Sequence, residues 1–376
     1  MRIGFDATAI PVNRAGAGVY IFQLIKALAL KNNLHEYFVF GNSHILEEMD
    51  LDNERFHRIE VPLQSTLKRM LWEQISFPNE AKKLGIDLIH SPHYTMPLQA
   101  SCRTVVTFHD MTFFSMPQVH GRFRRIFFRN MMRASSRTAT RLLSNSECTR
   151  QDMCRLLHIP LEKVTLTPLA ADKLFRKLES LQTAAICSRY GLISNQFLLF
   201  VGVLEPRKNI PSLLRAYARL AVDSPERPLV IVGKKGWMYE RIFQTVQQLG
   251  LENKVIFTGY VPEEDLAGLY NGATLFIYPS QYEGFGLPVL EALQCGAPVI
   301  TSNLSSLPEV AGDCAVYVSP KEDREIEGAM RLLIKDEGLA NRLRRDGPIR
   351  AAGFSWELCA ERTLEAYQAT MNGNNP

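Results

Sequence analysis

Short apolar runs of strand length, separated by helix-like segments, recur from Arg2 to Val318 and narrow the folds open to this 376-residue chain. In the first half they are Arg2–Thr8, Tyr37–Phe40, Asp87–His90, Thr104–Phe108, Leu142–Ser144 and Val164–Thr167. In the second they are Phe197–Gly202, Leu229–Gly233, Val255–Gly259, Leu275–Tyr278, Pro298–Thr301 and Ala315–Val318. Most have the length and the β-branched or aromatic character of buried strands. Strands that alternate with helices pair in parallel, so the reading is α/β, built of βαβ units. The alternation pauses across Thr167–Asn195, which divides the chain into 1–180 and 181–355, followed by a terminal helix over 356–376. Two Rossmann-like halves facing a central cleft follow, with ligands expected at the carboxyl ends of the strands.

Leu275 to Thr301 carries the densest chemistry. A strand ends at Pro279 and Ser280, and a loop with Gly284, Phe285 and Gly286 leads to Pro288. Proline fits the first position of a helix, where its missing N–H is not needed. Leu287, Leu290, Ala292 and Leu293 continue with helical spacing, and Gly296 suits a left-handed cap. A helix start presents free N–H groups and a positive dipole end, which suits a diphosphate. Glycines let an anion approach the backbone closely. Glu291, about one turn in, does not favour a phosphate by charge; it is better suited to accept hydrogen bonds from ribose hydroxyls. Glu283 then faces whatever lies beyond the phosphates. A solvated loop and helix face is the alternative reading of the same residues.

Glu283-x7-Glu291, written EGFGLPVLE, resembles the signature of the retaining GT-B glycosyltransferases of family four. The resemblance covers nearly the whole chain. It implies an acceptor-binding first domain, a nucleotide-sugar-binding second domain, and a last helix near Trp356–Thr370 that crosses back to the first. It also implies that Glu291 binds ribose, Gly286 and Leu287 offer N–H groups to the diphosphate, and Glu283 contacts the donor sugar. The run GVLEPRKN is similar to a second family block. Arg207 and Lys208, a pair of cations at a strand-to-helix junction, are thereby expected to stabilise the leaving diphosphate. TFHD, at the end of Thr104–Phe108, matches a third block and implies that His109 lines the donor-sugar pocket. Val261 is the level at which the family seats the base.

Other features stay open between two readings. Gly16-Ala-Gly18 fails as a dinucleotide fingerprint, since Ile21 stands at the third glycine position. It is a tight turn, or, as the resemblance implies, a glycine loop beside the diphosphate and acceptor. Asp50-Leu-Asp52 matches a metal-binding pattern, yet it lies among Glu47, Glu48 and Glu54 as a solvated charge cluster would. The expectation is no metal. Between Met111 and Ser146 there are seven arginines and no acid. At helical spacing Arg122, Arg125, Arg129 and Arg133 share one arc with Arg137, opposite Phe123, Phe127, Met131 and Ala134. That is either a helix attracted to an anionic membrane surface, or one that buries its Phe and Met residues and solvates its arginines. Residues 1–180 hold 24 basic and 17 acidic side chains, against 19 and 22 in the remainder, so the first half is expected to meet the more anionic partner. Nothing else supports nucleic acid as that partner.

No run reaches the ~20 apolar residues of a membrane span, and MRIGFDAT reads as a strand rather than a signal peptide. Seven scattered cysteines without a CxxC pair read as reduced thiols. The expected protein is cytoplasmic, or peripheral on the inner leaflet. It moves a hexosyl unit with retention from a nucleotide sugar to a saccharide or polyprenyl-diphosphate-linked acceptor in polysaccharide synthesis. Neither metal nor pyridoxal phosphate is expected. GDP-mannose is the preferred donor, because TFHD, GVLEPRKN and TSNLSSLPEVAGD look closest to mannosyl-adding relatives. A UDP-sugar such as UDP-glucose or UDP-GlcNAc is the rival. A sugar-nucleotide epimerase of the same architecture is the alternative of another class.

Overall fold

The computed structural model describes residues 1–11, 16–31, 34–49, 51, 53–63, 65–223 and 227–373. The pair Asp50 and Asp52 lies outside them. The first sheet comprises β1 (Arg2–Asp6), β2 (Glu36–Gly41), β3 (Phe56–Glu60), β4 (Leu88–Ser91), β5 (Arg103–Phe108), β6 (Arg141–Ser144) and β7 (Val164–Leu166). Their order is β3-β2-β1-β4-β5-β6-β7, and every pairing is parallel. The second sheet comprises β8 (Leu198–Val201), β9 (Leu229–Val232), β10 (Val255–Gly259), β11 (Leu275–Tyr278), β12 (Val299–Ser302) and β13 (Ala315–Val318). It is ordered β10-β9-β8-β11-β12-β13 and is also wholly parallel. The central strands β4, β8, β9, β11 and β12 are buried at every residue, as their continuous apolar runs require of strands covered on both faces.

Twelve of these thirteen strands match the runs read from the sequence to within two residues at each end; β3 was not foreseen. Its sequence, FHRIE, pairs only with β2 and keeps most of its side chains exposed. An edge strand with charged residues has no apolar run to announce it.

The chain forms two compact units. One is Met1–Leu169 with the chain from Ser355 onward, and the other is Ala170–Phe354. The division therefore falls earlier than residue 180. Ser355 caps the helix Trp356–Met371 through its hydroxyl, which accepts from the Leu358 N–H at 3.0 Å. This helix packs against the helix Ala17–Leu30 and against β5 to β7. A buried polar chain pins it there. Tyr367 OH lies 2.7 Å from His90 Nδ1, His90 Nε2 lies 2.8 Å from Thr107 Oγ1, and Thr107 lies 3.0 Å from Tyr20 OH. Burial pushes the His90 imidazole down to about 3, so it works as a neutral hydrogen-bonding ring.

The arginine-rich segment is the helix Arg122–Thr138, but its faces differ from those read off the sequence. Phe128, Met132, Ser135 and Ser136 form the buried stripe, whereas Phe123 is 86% exposed and Ile126 51%. Arg129 and Arg133 lie over the Phe114 ring at 5.0 and 5.3 Å, and Arg124 lies 5.6 Å from that of Phe128. These arginines thus stack on rings instead of lying opposite them, because a guanidinium plane packs on an aromatic face where an ammonium would stay hydrated. All seven cysteines are free thiols. Among the described residues no helix is long and apolar enough to cross a membrane.

Candidate functional site

In an open parallel sheet the crevice opens where the strand order reverses. In the second sheet that point is between the paired strands β8 and β11. The loop after β8 carries Glu205, Arg207 and Lys208, and the loop after β11 carries Ser280, Glu283 and the two glycines. Topology thus brings together residues 75 positions apart in the chain.

Glu283 is the centre of this site and is 6% exposed. Its Oε1 accepts from Lys208 Nζ at 2.7 Å, Ser280 Oγ at 2.6 Å and Tyr278 OH at 3.0 Å. Its Oε2 accepts from Arg207 Nη1 at 2.6 Å. Burial by itself would raise this carboxyl, but Arg207 and Lys208 outweigh burial and hold it at about 2, so it stays ionised. Arg207 is held on its other side by Glu205, which accepts from Nη2 at 2.7 Å and Nε at 3.1 Å, and it also donates to the Tyr282 carbonyl at 2.8 Å. Lys208 is buried, donates to Tyr278 OH as well, and has its pKa lowered by burial and by Arg207. The sequence reading left both cations open to a diphosphate; here Glu205 and Glu283 already neutralise them.

Gly286 precedes the helix Leu287–Gln294 with φ +110°, and an added Cβ would sit 2.7 Å from Leu307 Cδ2. Only glycine fits there. Val289 and Leu290 donate back to the Gly286 carbonyl, and Pro288 has no N–H. The first turn is left with the N–H groups of Gly286 and Leu287, for which the described residues supply no acceptor. Ser306 Oγ donates to the Phe285 and Glu283 carbonyls at 2.7 and 3.0 Å, and Ser305 Oγ accepts from the Glu283 N–H at 2.9 Å. These two serines fix the loop that carries Gly284 and Phe285.

Glu291 lies one turn into that helix and accepts from Tyr270 OH at 2.9 Å. Burial pushes its carboxyl up to about 7, and Glu263 and Asp172 add to the rise. Two glutamates eight residues apart therefore sit on opposite sides of the ordinary carboxylate range. Val261, after β10, is buried.

In the first unit, His109 directly follows β5 and is buried, with Nε2 2.7 Å from the Pro92 carbonyl oxygen. Burial lowers its pKa. The neutral ring donates to that carbonyl and meets Tyr20 edge-on at 5.0 Å. Asp110 is engaged elsewhere, accepting from the Thr112 N–H and hydroxyl. Gly16 starts the helix Ala17–Leu30 with φ +52° and open space around it, while Gly18 is buried in that helix. Arg122 and Arg133 are exposed, and Arg125 and Arg129 partly so. They lie on the helix Arg122–Thr138.

Sequence reasoning missed Tyr278, Ser280, Glu205, Tyr270, Ser305 and Ser306. Glu205, Ser305 and Ser306 lie inside the runs GVLEPRKN and TSNLSSLPEVAGD, but nothing in those runs says what they touch.

The second unit matches the family model "Glycosyl transferases group 1" over residues 193–350, and the first matches "Glycosyltransferase Family 4" over residues 14–173. The O-antigen chain mannosyltransferase B of Escherichia coli is 31% identical over 380 residues, covering 98% of this chain and 100% of that protein. The fold is similar to sucrose-phosphate synthase from Thermosynechococcus elongatus, with TM-score 0.79, 22% identity, and 99% and 100% of the two chains covered. It is also similar to HepE of Anabaena in complex with UDP-glucose, with TM-score 0.78, 18% identity, and 98% and 100% covered.

Proposed function

The chain belongs to glycosyltransferase family 4 and has its GT-B fold, and on that premise we propose that it moves a mannosyl unit from GDP-mannose to a saccharide or polyprenyl-diphosphate-linked acceptor. The observation that carries the reading is the convergence of Arg207, Lys208 and Glu283 beside the helix start at Leu287. That helix start receives the diphosphate through the Gly286 and Leu287 N–H groups. Arg207 and Lys208 stabilise the charge that grows on the diphosphate as the glycosidic bond breaks. Glu291 accepts from the ribose hydroxyls, the backbone around Val261 meets the base, and Glu283 turns to the sugar. His109 and the Gly16–Gly18 turn keep the roles that the family resemblance implies for them.

Transfer proceeds with retention: the acceptor hydroxyl attacks the face that the diphosphate leaves, and a departing phosphate oxygen takes its proton. The diphosphate charge is met by protein cations and backbone donors, so the reaction needs no metal and runs in EDTA. The mannosyl donor is supported by the O-antigen chain mannosyltransferase matched over its whole length, and polysaccharide synthesis is the corresponding setting. A UDP-sugar is the rival donor.

A thermal-shift panel of GDP, UDP, ADP and their sugars tests this reading. A ligand bound only by the native state raises the midpoint, by about 2.7 kcal/mol of stability at a hundred times its Kd. GDP and GDP-mannose are expected to give the largest shifts. A larger shift with UDP-glucose moves the donor to the uridine series. No shift with any nucleotide overturns the reading.

A further inference from the structure

The site described above contains its own counter-ion. Glu283 bridges the two cations, with Oε2 on Arg207 and Oε1 on Lys208, and its remaining capacity is taken by Ser280 and Tyr278. Glu205 occupies two further nitrogens of Arg207. Two positive and two negative side chains make a closed, neutral set, with Lys208 and Glu283 buried. An anion arriving at this set finds no unpaired cation, and the gain from meeting Arg207 and Lys208 is offset by what Glu283 loses.

We infer that Glu283 is an exchangeable counter-ion: the donor's diphosphate displaces its carboxylate from Arg207 and Lys208, and the carboxylate reclaims them to expel the product. This rests on the nucleotide-sugar reading and deepens it. The displaced carboxylate is free to turn toward the sugar only while a diphosphate holds its former partners, which couples sugar contact to the presence of phosphate. After transfer, the same carboxylate competes with the nucleoside diphosphate and shortens its stay. While paired with Arg207 and Lys208, Glu283 stays ionised down to about pH 2, so an arriving diphosphate meets a charged competitor. Glu205 is a positioning residue here: it fixes the guanidinium so that Nη1 faces Glu283.

Titration calorimetry with GDP and UDP tests the exchange on wild type, Glu283→Gln and Glu205→Gln, each checked for folding by thermal melting. Glu283→Gln keeps the shape and removes the competing charge. It is expected to bind the nucleoside diphosphate roughly tenfold more tightly than wild type while losing transfer. Glu205 lies less deep, and its Oε1 alone makes both contacts, so Glu205→Gln is expected to fold and to tighten binding by a smaller factor. A merely structural salt bridge moves the melting point without raising affinity. Equal or weaker binding in the folded variants, with wild type still binding, overturns the exchange and leaves the donor reading standing. If Glu283→Gln does not fold, Glu205→Gln decides in the same way. Absence of binding in all three proteins overturns both.

Discussion

Glu283 and Glu291 belong to one short motif, yet their surroundings drive them apart. Glu283 is buried and Glu291 half-buried, so both begin with a penalty on the charged form. Arg207 and Lys208 reverse it at Glu283; at Glu291 only the Tyr270 hydroxyl opposes it. Glu291 therefore makes the folded state sensitive to pH. The unfolded chain ionises near 4.5, while the folded protein holds its proton to about 7. This contribution to stability is full below pH 4.5, declines as pH rises to 7, and is level above that. Glu291→Gln removes the effect, so denaturation at pH 5 and pH 8 should show the variant gaining roughly 1–3 kcal/mol on wild type across that interval. Glu73, also pushed up to about 7 by burial, is present in both proteins and cancels. A difference that does not change with pH would refute the assignment. The ionised Glu291 was legible in the sequence as a hydroxyl acceptor, because the motif quotes it. Its elevated pKa was not, because it comes from burial and from Glu263 and Asp172, neither of them near it in sequence. The same holds for Ser305 and Ser306, which reach back to Glu283 across 22 and 23 residues.

Among the elements, strands with continuous apolar runs were readable, whereas the edge strand β3 was not, since one partner and a solvated face ask for little apolar sequence. The helix Arg122–Thr138 shows the other way in which a pattern misleads. A wheel drawn on charge alone sets arginines opposite phenylalanines, but Arg124 lies over the rings of Phe113 and Phe128, and Arg129 lies half-buried over that of Phe114. The face left open carries Phe123 and Ile126 beside Arg122, Arg133 and Arg137. If the acceptor is lipid-linked, as proposed, this mixed face is expected to attach to an anionic membrane. Sedimentation with phosphatidylglycerol vesicles should capture wild type and lose most of a Phe123→Ser, Ile126→Ser double variant. That variant spares the buried stripe of Phe128 and Met132. Equal sedimentation of the two proteins would remove the helix from any membrane role.

Across the whole molecule, the two parallel sheets share one order over six strands, with β7 added to the first, and each reverses direction once. That repetition explains why a sequence reading reaches the class of fold readily, since strand–helix alternation dictates parallel pairing. It also explains what such a reading leaves out. Alternation does not say which strands are neighbours. That Glu205–Lys208 meets Ser280–Gly286 therefore needed either the pairing of β8 with β11 or a family motif. The division at Leu169 was blurred because Leu169, Ala170 and Ala171 are buried, so the crossing has no exposed linker composition to mark it.

The most direct measurement of the central claim is transfer itself, in EDTA, from GDP-mannose and UDP-glucose carrying radiolabelled sugars to mannose-ended oligosaccharides, with wild type beside Glu291→Ala. Label from GDP-mannose should move onto the acceptor with its anomeric configuration kept, and Glu291→Ala should lower the rate by a factor of about a hundred or more. Transfer that survives Glu291→Ala undiminished, or an altered nucleotide sugar released without any acceptor product, would contradict the account.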